Sequence, residues 1–103
     1  MPHTIVIAMN VVDADGYAAY RAAMLPILTR YGGQFGYDLT VAAVLRSPAS
    51  HPITRVFTIR FPSRAVREAF FADPEYLAAK ETHFVSAVSG FSIMAEDDRT
   101  GSA

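Results

Sequence analysis

The segment from Gln34 to Phe61 constrains the fold most. Two runs with strand alternation, QFGYDLTVAAVLR (34 to 46) and ITRVFTIRF (53 to 61), are separated only by SPASHP, and helical runs flank the pair on both sides. In the first run Phe35, Tyr37, Leu39, Val41, Ala43 and Leu45 share one face. In the second Phe57, Ile59 and Phe61 do. The connector is rich in Ser and Pro, so the two strands are expected to pair antiparallel as a hairpin.

The flanks complete the order. TIVIAMNVV (4 to 12) is β-branched and reads as a first strand. DADGYAAYRAAMLPILTRYGG then reads as a helix, with Asp13 or Asp15 able to cap it. Tyr17, Tyr20, Met24, Leu28 and Tyr31 share one helical face, and Gly32 supplies the stop. Pro26 removes one helical hydrogen bond and predicts a kink. After Phe61, Pro62 ends the strand and Ser63 caps a short helix, RAVREAFFA. Asp73 caps again, with Pro74 at the first helical position. That helix is expected over 74 to 88, stopped by Gly90, before a last strand, FSIMA (91 to 95).

The order β-α-β-β-α-β, with the second helix in two pieces, predicts an α+β ferredoxin-like domain over residues 1–96. Its antiparallel sheet carries the helices on one face. Residues 97–103 read as a flexible polar tail. The bulkier strand set, including Ile5, Ile7, Met9, Phe35, Tyr37, Leu39, Phe57, Ile59, Phe61, Phe91 and Ile93, is expected under the helices. The opposite set, including Val6, Ala8, Val44, Val56 and Met94, is too apolar for a solvated face. It predicts a homodimer, sheet against sheet. Asp38 and Arg60 both fall on this second face, as an ion pair at the interface or in a cavity between the sheets.

Composition excludes several functions. A net charge of −1 argues against a dedicated nucleic-acid binder. The absence of cysteine removes thiolate chemistry and disulfides. The apolar N-terminus lacks a basic segment and no run approaches a membrane span, so a cytoplasmic protein is expected. The histidines His3, His51 and His83 show no metal-ligand spacing, so no metal and no cofactor is expected. His3 and His51 are expected in solvent.

YAAYRAAMLPILTRYGGQF (17 to 35), FPSRAVREAFFADPEY (61 to 76) and the strands between them resemble the family of the domain of unknown function 1330, in the dimeric α+β barrel superfamily. The motifs are Tyr-x-x-Tyr on the first helix, Pro26, Tyr-Gly-Gly at 31 to 33, Phe-Pro-Ser at 61 to 63 and Pro-Glu-Tyr at 74 to 76. The resemblance implies a ferredoxin-like protomer that dimerises through its sheet, and no settled activity. This chain departs from the family at Gln34, Asp38 to Thr40, Arg60 and His83, positions where relatives often carry other, mostly charged, residues.

Two constellations can carry chemistry. Tyr76, Lys80 and His83 form a polar stripe on the third helix, and His83, next to the apolar stripe Leu77, Phe84 and Val88, can act as an acid or base near neutral pH. Tyr17, Tyr20 and Tyr76 combine apolar bulk with a polar tip and suit the wall of a small-molecule pocket. The leading expectation is a cofactor-independent enzyme acting on a hydrophobic or aromatic molecule, with His83 catalytic. The alternative is a non-catalytic small-molecule-binding or accessory module. A third reading, haem binding, requires an accessible His83.

Overall fold

Three side chains start the helices as the sequence predicts. In the computed structural model, which describes residues 1–98, Asp13 accepts a hydrogen bond from the Gly16 amide at 3.1 Å and opens α1 (Ala14–Arg30). Ser63 accepts from the Val66 amide and opens α2 (Arg64–Ala72). Asp73 accepts from the Glu75 and Tyr76 amides and opens α3 (Pro74–Ala79). Each cap satisfies backbone donors that the first helical turn leaves without partners. Helix α1 runs through Pro26 and stops at Gly32, whose φ of +76° suits a residue without Cβ. Helix α3 continues into a π-helical turn (Lys80–Phe84) and a last short helix, α4 (Val85–Ala87).

The strands are β1 (His3–Val11), β2 (Gln34–Thr40), β3 (Arg55–Phe61) and β4 (Val88–Asp98). They form one antiparallel sheet in the order β2-β3-β1-β4. This is the ferredoxin-like α+β arrangement. Ile5, Ile7 and Met9 of β1 and Phe57, Ile59 and Phe61 of β3 are buried against Tyr17, Tyr20, Met24 and Leu28 of α1. Phe70, Tyr76 and Phe84 close the core from the second helical segment. Each such side chain contributes about 1.5–3 kcal/mol of transfer free energy, so the central strands and α1 anchor the fold.

The structure corrects the strand faces at β2. Phe35 lies opposite Ile59, yet Asp38 lies opposite Phe57, so Gly36 and Tyr37 together face Thr58. This is a β-bulge, and the extra residue inverts the alternation beyond it. Tyr37 is 73% exposed and Leu39 leaves the core, while Asp38 turns to the helix side. A Cβ on Gly36 would stand 2.5 Å from Thr58 Oγ1. The bulge therefore forms where a side chain is missing, and Thr58 Oγ1 accepts the Tyr37 amide at 2.9 Å.

Other features also differ from expectation. Strand β2 ends at Thr40 instead of continuing to 46, and residues 41 to 54 form a long irregular connection instead of a hairpin turn. The connection is held by Val41 N–H to the Thr54 carbonyl and Thr54 N–H to the Met9 carbonyl. His51 is half-buried, not solvated: its Nε2 lies 2.7 Å from Ser92 Oγ. Gly90 is inside β4 and does not end a helix; its φ is +141° and an added Cβ would stand 2.7 Å from His51 Cβ. Strand β4 continues through Asp98, two residues into the expected tail; the rest of that tail lies outside the described residues.

His3 is the largest reversal of environment. It is 2% exposed, with Nδ1 2.7 Å from Asp98 Oδ1 and Nε2 2.8 Å from Glu96 Oε1. The long β4 strand creates this site, because the β1–β4 register sets His3 opposite Asp98. Burial lowers the imidazole pKa, but the two carboxylates outweigh it and the net shift is upward.

Candidate functional site

Helices and sheet do not close completely on each other. A cavity of about 240 Å³ remains between them. Its sheet side is made by Ile5, Ile7, Met9, Phe57 and Ile59, and its rim by Phe91 and Ile93 of β4. Both rim residues face the helices yet stay about half exposed, because the edge strand extends past the helical cover. The helices supply Tyr20, Arg21 and Met24 from α1, Arg67 and Phe71 from α2, and Tyr76, Lys80 and Phe84 from the segment beyond Pro74. The volume exceeds the ~150 Å³ of an apolar cavity known to hold benzene. It lies just under the ~300 Å³ at which ordinary ligand sites begin.

The polar groups on this wall converge. The Tyr20 and Tyr76 hydroxyls are 2.9 Å apart, and both tyrosines are buried. Burial pushes both phenol pKa values up. Both therefore stay protonated at neutral pH. A pair of hydroxyls uses one O–H within itself and has one left to donate. Either hydroxyl can donate within the pair, and the other then presents the second O–H.

Arg21 borders the cavity through aromatic contacts. Its guanidinium carbon lies 4.1 Å from the Phe35 ring centre and 4.7 Å from that of Phe57. Its Nε donates to the Tyr17 hydroxyl at 2.8 Å, and Nη1 and Nη2 donate to the Asp38 carboxylate, 3.2 Å each. Arg55 holds the same carboxylate from the sheet, at 2.8 and 2.9 Å. The Arg55 hydrogen bond, followed by that of Arg21, keeps the Asp38 carboxyl below its usual range. Arg67 Nε stands 2.9 Å from Glu96 Oε1, linking the cavity wall to the His3 cluster.

Some expected site residues come together here and others do not. Tyr20 and Tyr76 line the cavity. Tyr17 is buried behind them and serves Arg21 instead. Asp38 and Arg60 are not a pair: the bulge turns Asp38 to the helix side, while Arg60 stays opposite Thr4 and Gln34 on the other face. His83 is half-buried and is not among the cavity-lining residues. The π-helical turn is the reason. One additional residue per turn displaces the helical face by about 100°, so the stripe Tyr76, Lys80 continues to Phe84 and not to His83. Lys80 was legible as a member of that stripe. Arg21 carried the weaker signal of standing four residues after Tyr17.

The sequence matches the profile of the domain of unknown function DUF1330 over residues 4–95. No curated protein matches it. Among solved structures, a protein of unknown function from Rhodopseudomonas palustris, RPA0582, is similar with a TM-score of 0.80 at 21% identity, over 98% of this chain and 84% of that one. SnoaB, a cofactor-independent oxygenase from Streptomyces nogalater, is similar with a TM-score of 0.63 at 13% identity, over 98% and 95% of the two chains. A dimeric ferredoxin-like protein of unknown function from Thermobifida fusca has a TM-score of 0.60 at 12% identity, over 94% and 90%. At these identities the likeness establishes the fold.

Proposed function

The chain belongs to the DUF1330 family, and from that premise we propose that its cavity binds a small, flat, mostly apolar molecule of one or two rings. The observation that carries this reading is the cavity itself: about 240 Å³ of space with aromatic and aliphatic walls and a buried tyrosine pair at one side. A core that served packing alone would fill such space, since each void forfeits dispersion contacts along its lining. Titration with 1-naphthalenemethanol, followed by calorimetry, tests it. The expected result is saturable binding at one site per chain that Ile93→Trp removes by filling the rim. Absence of saturable binding overturns it.

A second reading is catalytic and rests on the likeness to a cofactor-independent oxygenase. Such an enzyme needs its protein to orient the substrate and move protons. The wall groups suited to this are Tyr20, Tyr76 and Lys80. The acid–base role expected of His83 has no support from its position. Oxygen uptake with 1-naphthol separates this reading from simple binding. For haem, a macrocycle of four pyrroles exceeds a cavity of this volume, and no histidine lines it.

The homodimer through the sheet is part of the same proposal. Exposed Leu39 and half-buried Val56 lie cross-strand on the face away from the helices, and the Thermobifida fusca protein is described as dimeric. Sedimentation at micromolar concentration is expected to give twice the chain mass; a monomer overturns it.

A further inference from the structure

Among the described residues, three cationic side chains line the cavity and no carboxylate does. Two of the cations are already matched: Arg21 by Asp38 and Arg67 by Glu96. Lys80 is not. Among the described residues it forms no ion pair, and its ammonium stands 6.0 Å from the ring centres of both Phe84 and Phe91. Those two rings meet edge to face at the cavity rim, 5.9 Å between centres. The helix positions four residues before and after Lys80 are Tyr76 and Phe84, so its own helix supplies no acid at hydrogen-bonding spacing. The local sequence thus brings a half-buried ammonium to an apolar wall, without a counter-charge among the described residues.

Resting on the reading of the cavity as a binding site, we propose that its ligand is an acid: a ring system carrying a carboxylate or an ionised enol, with the anion at Lys80. The O–H left over by the Tyr20–Tyr76 pair is the second donor on the same wall. Aromatic faces at Phe84 and Phe91 hold the ammonium by cation–π attraction while the site is empty, and a ligand anion replaces that weak attraction with a charge-assisted hydrogen bond. The π-helical turn contributes by placing Lys80 and Phe84 together on the cavity, an arrangement in keeping with the frequent occurrence of such turns at functional sites.

Paired probes of the same shape test the proposal: 1-naphthoate against 1-naphthalenemethanol, each titrated into the wild-type chain and into Lys80→Gln and Lys80→Arg at neutral pH. Wild type is expected to prefer the acid by roughly tenfold to a hundredfold, the range of a hydrogen bond to a charged group. Lys80→Gln is expected to bring the ratio near one, and Lys80→Arg to retain most of it. Equal affinities in wild type, or a ratio that Lys80→Gln leaves unchanged, overturn the acid assignment while leaving the cavity reading intact. Failure of both probes to bind overturns the two together.

Discussion

Asp38 Oδ1 accepts a hydrogen bond from Arg55 Nε at 2.8 Å, although Asp38 stands at an alternation position that should point away from Arg55. The bulge at Gly36 and Tyr37 makes the contact possible, and Arg21 completes it from α1. One carboxylate therefore ties the edge strand β2, the central strand β3 and the first helix together at the side of the cavity.

Removing that charge is expected to loosen all three elements. Asp38→Asn should lower unfolding free energy by about 1 kcal/mol, below the usual ~1.5–3 kcal/mol of charged hydrogen bonds, because the group is partly solvated. The Asp38 pKa is depressed in the folded state, so its stabilisation is present above the ordinary carboxylate value of about 3.9 and is lost as pH falls through the lower folded value. Urea melts across acid pH should therefore show a shallower loss of stability in Asp38→Asn than in wild type.

His3 carries the opposite sign. Its folded pKa is raised, so its contribution is complete below about 6.5 and disappears as pH rises through the folded value. The facing groups are Glu96 and Asp98 of β4, with Arg67 of α2 on the other side of Glu96. Chemical denaturation from slightly acid to alkaline pH is expected to show a decline in wild type that His3→Gln abolishes.

The tyrosine pair is expected to behave as a unit. Tyr76→Phe leaves the buried Tyr20 hydroxyl without its partner and should cost about 1–3 kcal/mol. The double variant Tyr20→Phe, Tyr76→Phe removes both polar groups and should be less destabilised than the sum of the single changes. A double-mutant cycle by thermal or urea unfolding measures the difference.

Gly36 is expected to resist substitution. An alanine Cβ would press on Thr58 Oγ1, the acceptor of the Tyr37 amide. Gly36→Ala should lose about 1–3 kcal/mol, as overpacking does. It should also shift backbone amide resonances at Tyr37 and Asp38. Unchanged resonances at those two sites would count against a bulge held by this contact.

His83→Ala is expected to leave naphthalene-probe affinity unchanged within about twofold, because His83 is not part of the cavity lining. A larger loss would restore the histidine to the site.

The sequence by itself determined the order of elements, the helix starts and the antiparallel α+β class. These follow from local chemistry: Asp13, Ser63 and Asp73 offer oxygen to neighbouring amides, Gly32 accepts positive φ, and the apolar periods of β1 and β3 remain undisturbed. Tyr20 and Tyr76 were legible as pocket candidates for the same reason, being aromatic residues on inward helical faces. Only the tertiary structure decided the rest. A bulge inverts the faces of β2 because the gap left by Gly36 is filled by Thr58, a residue of another strand. The π-helical turn brings Lys80 and Phe84, not His83, to the cavity, through a one-residue change in helical step that composition does not record. His3 moves from presumed solvent into a buried cluster because β4 extends to Asp98. In each case the deciding partner is distant in sequence or the deciding step is a single residue of register, and packing alone selects between the alternatives.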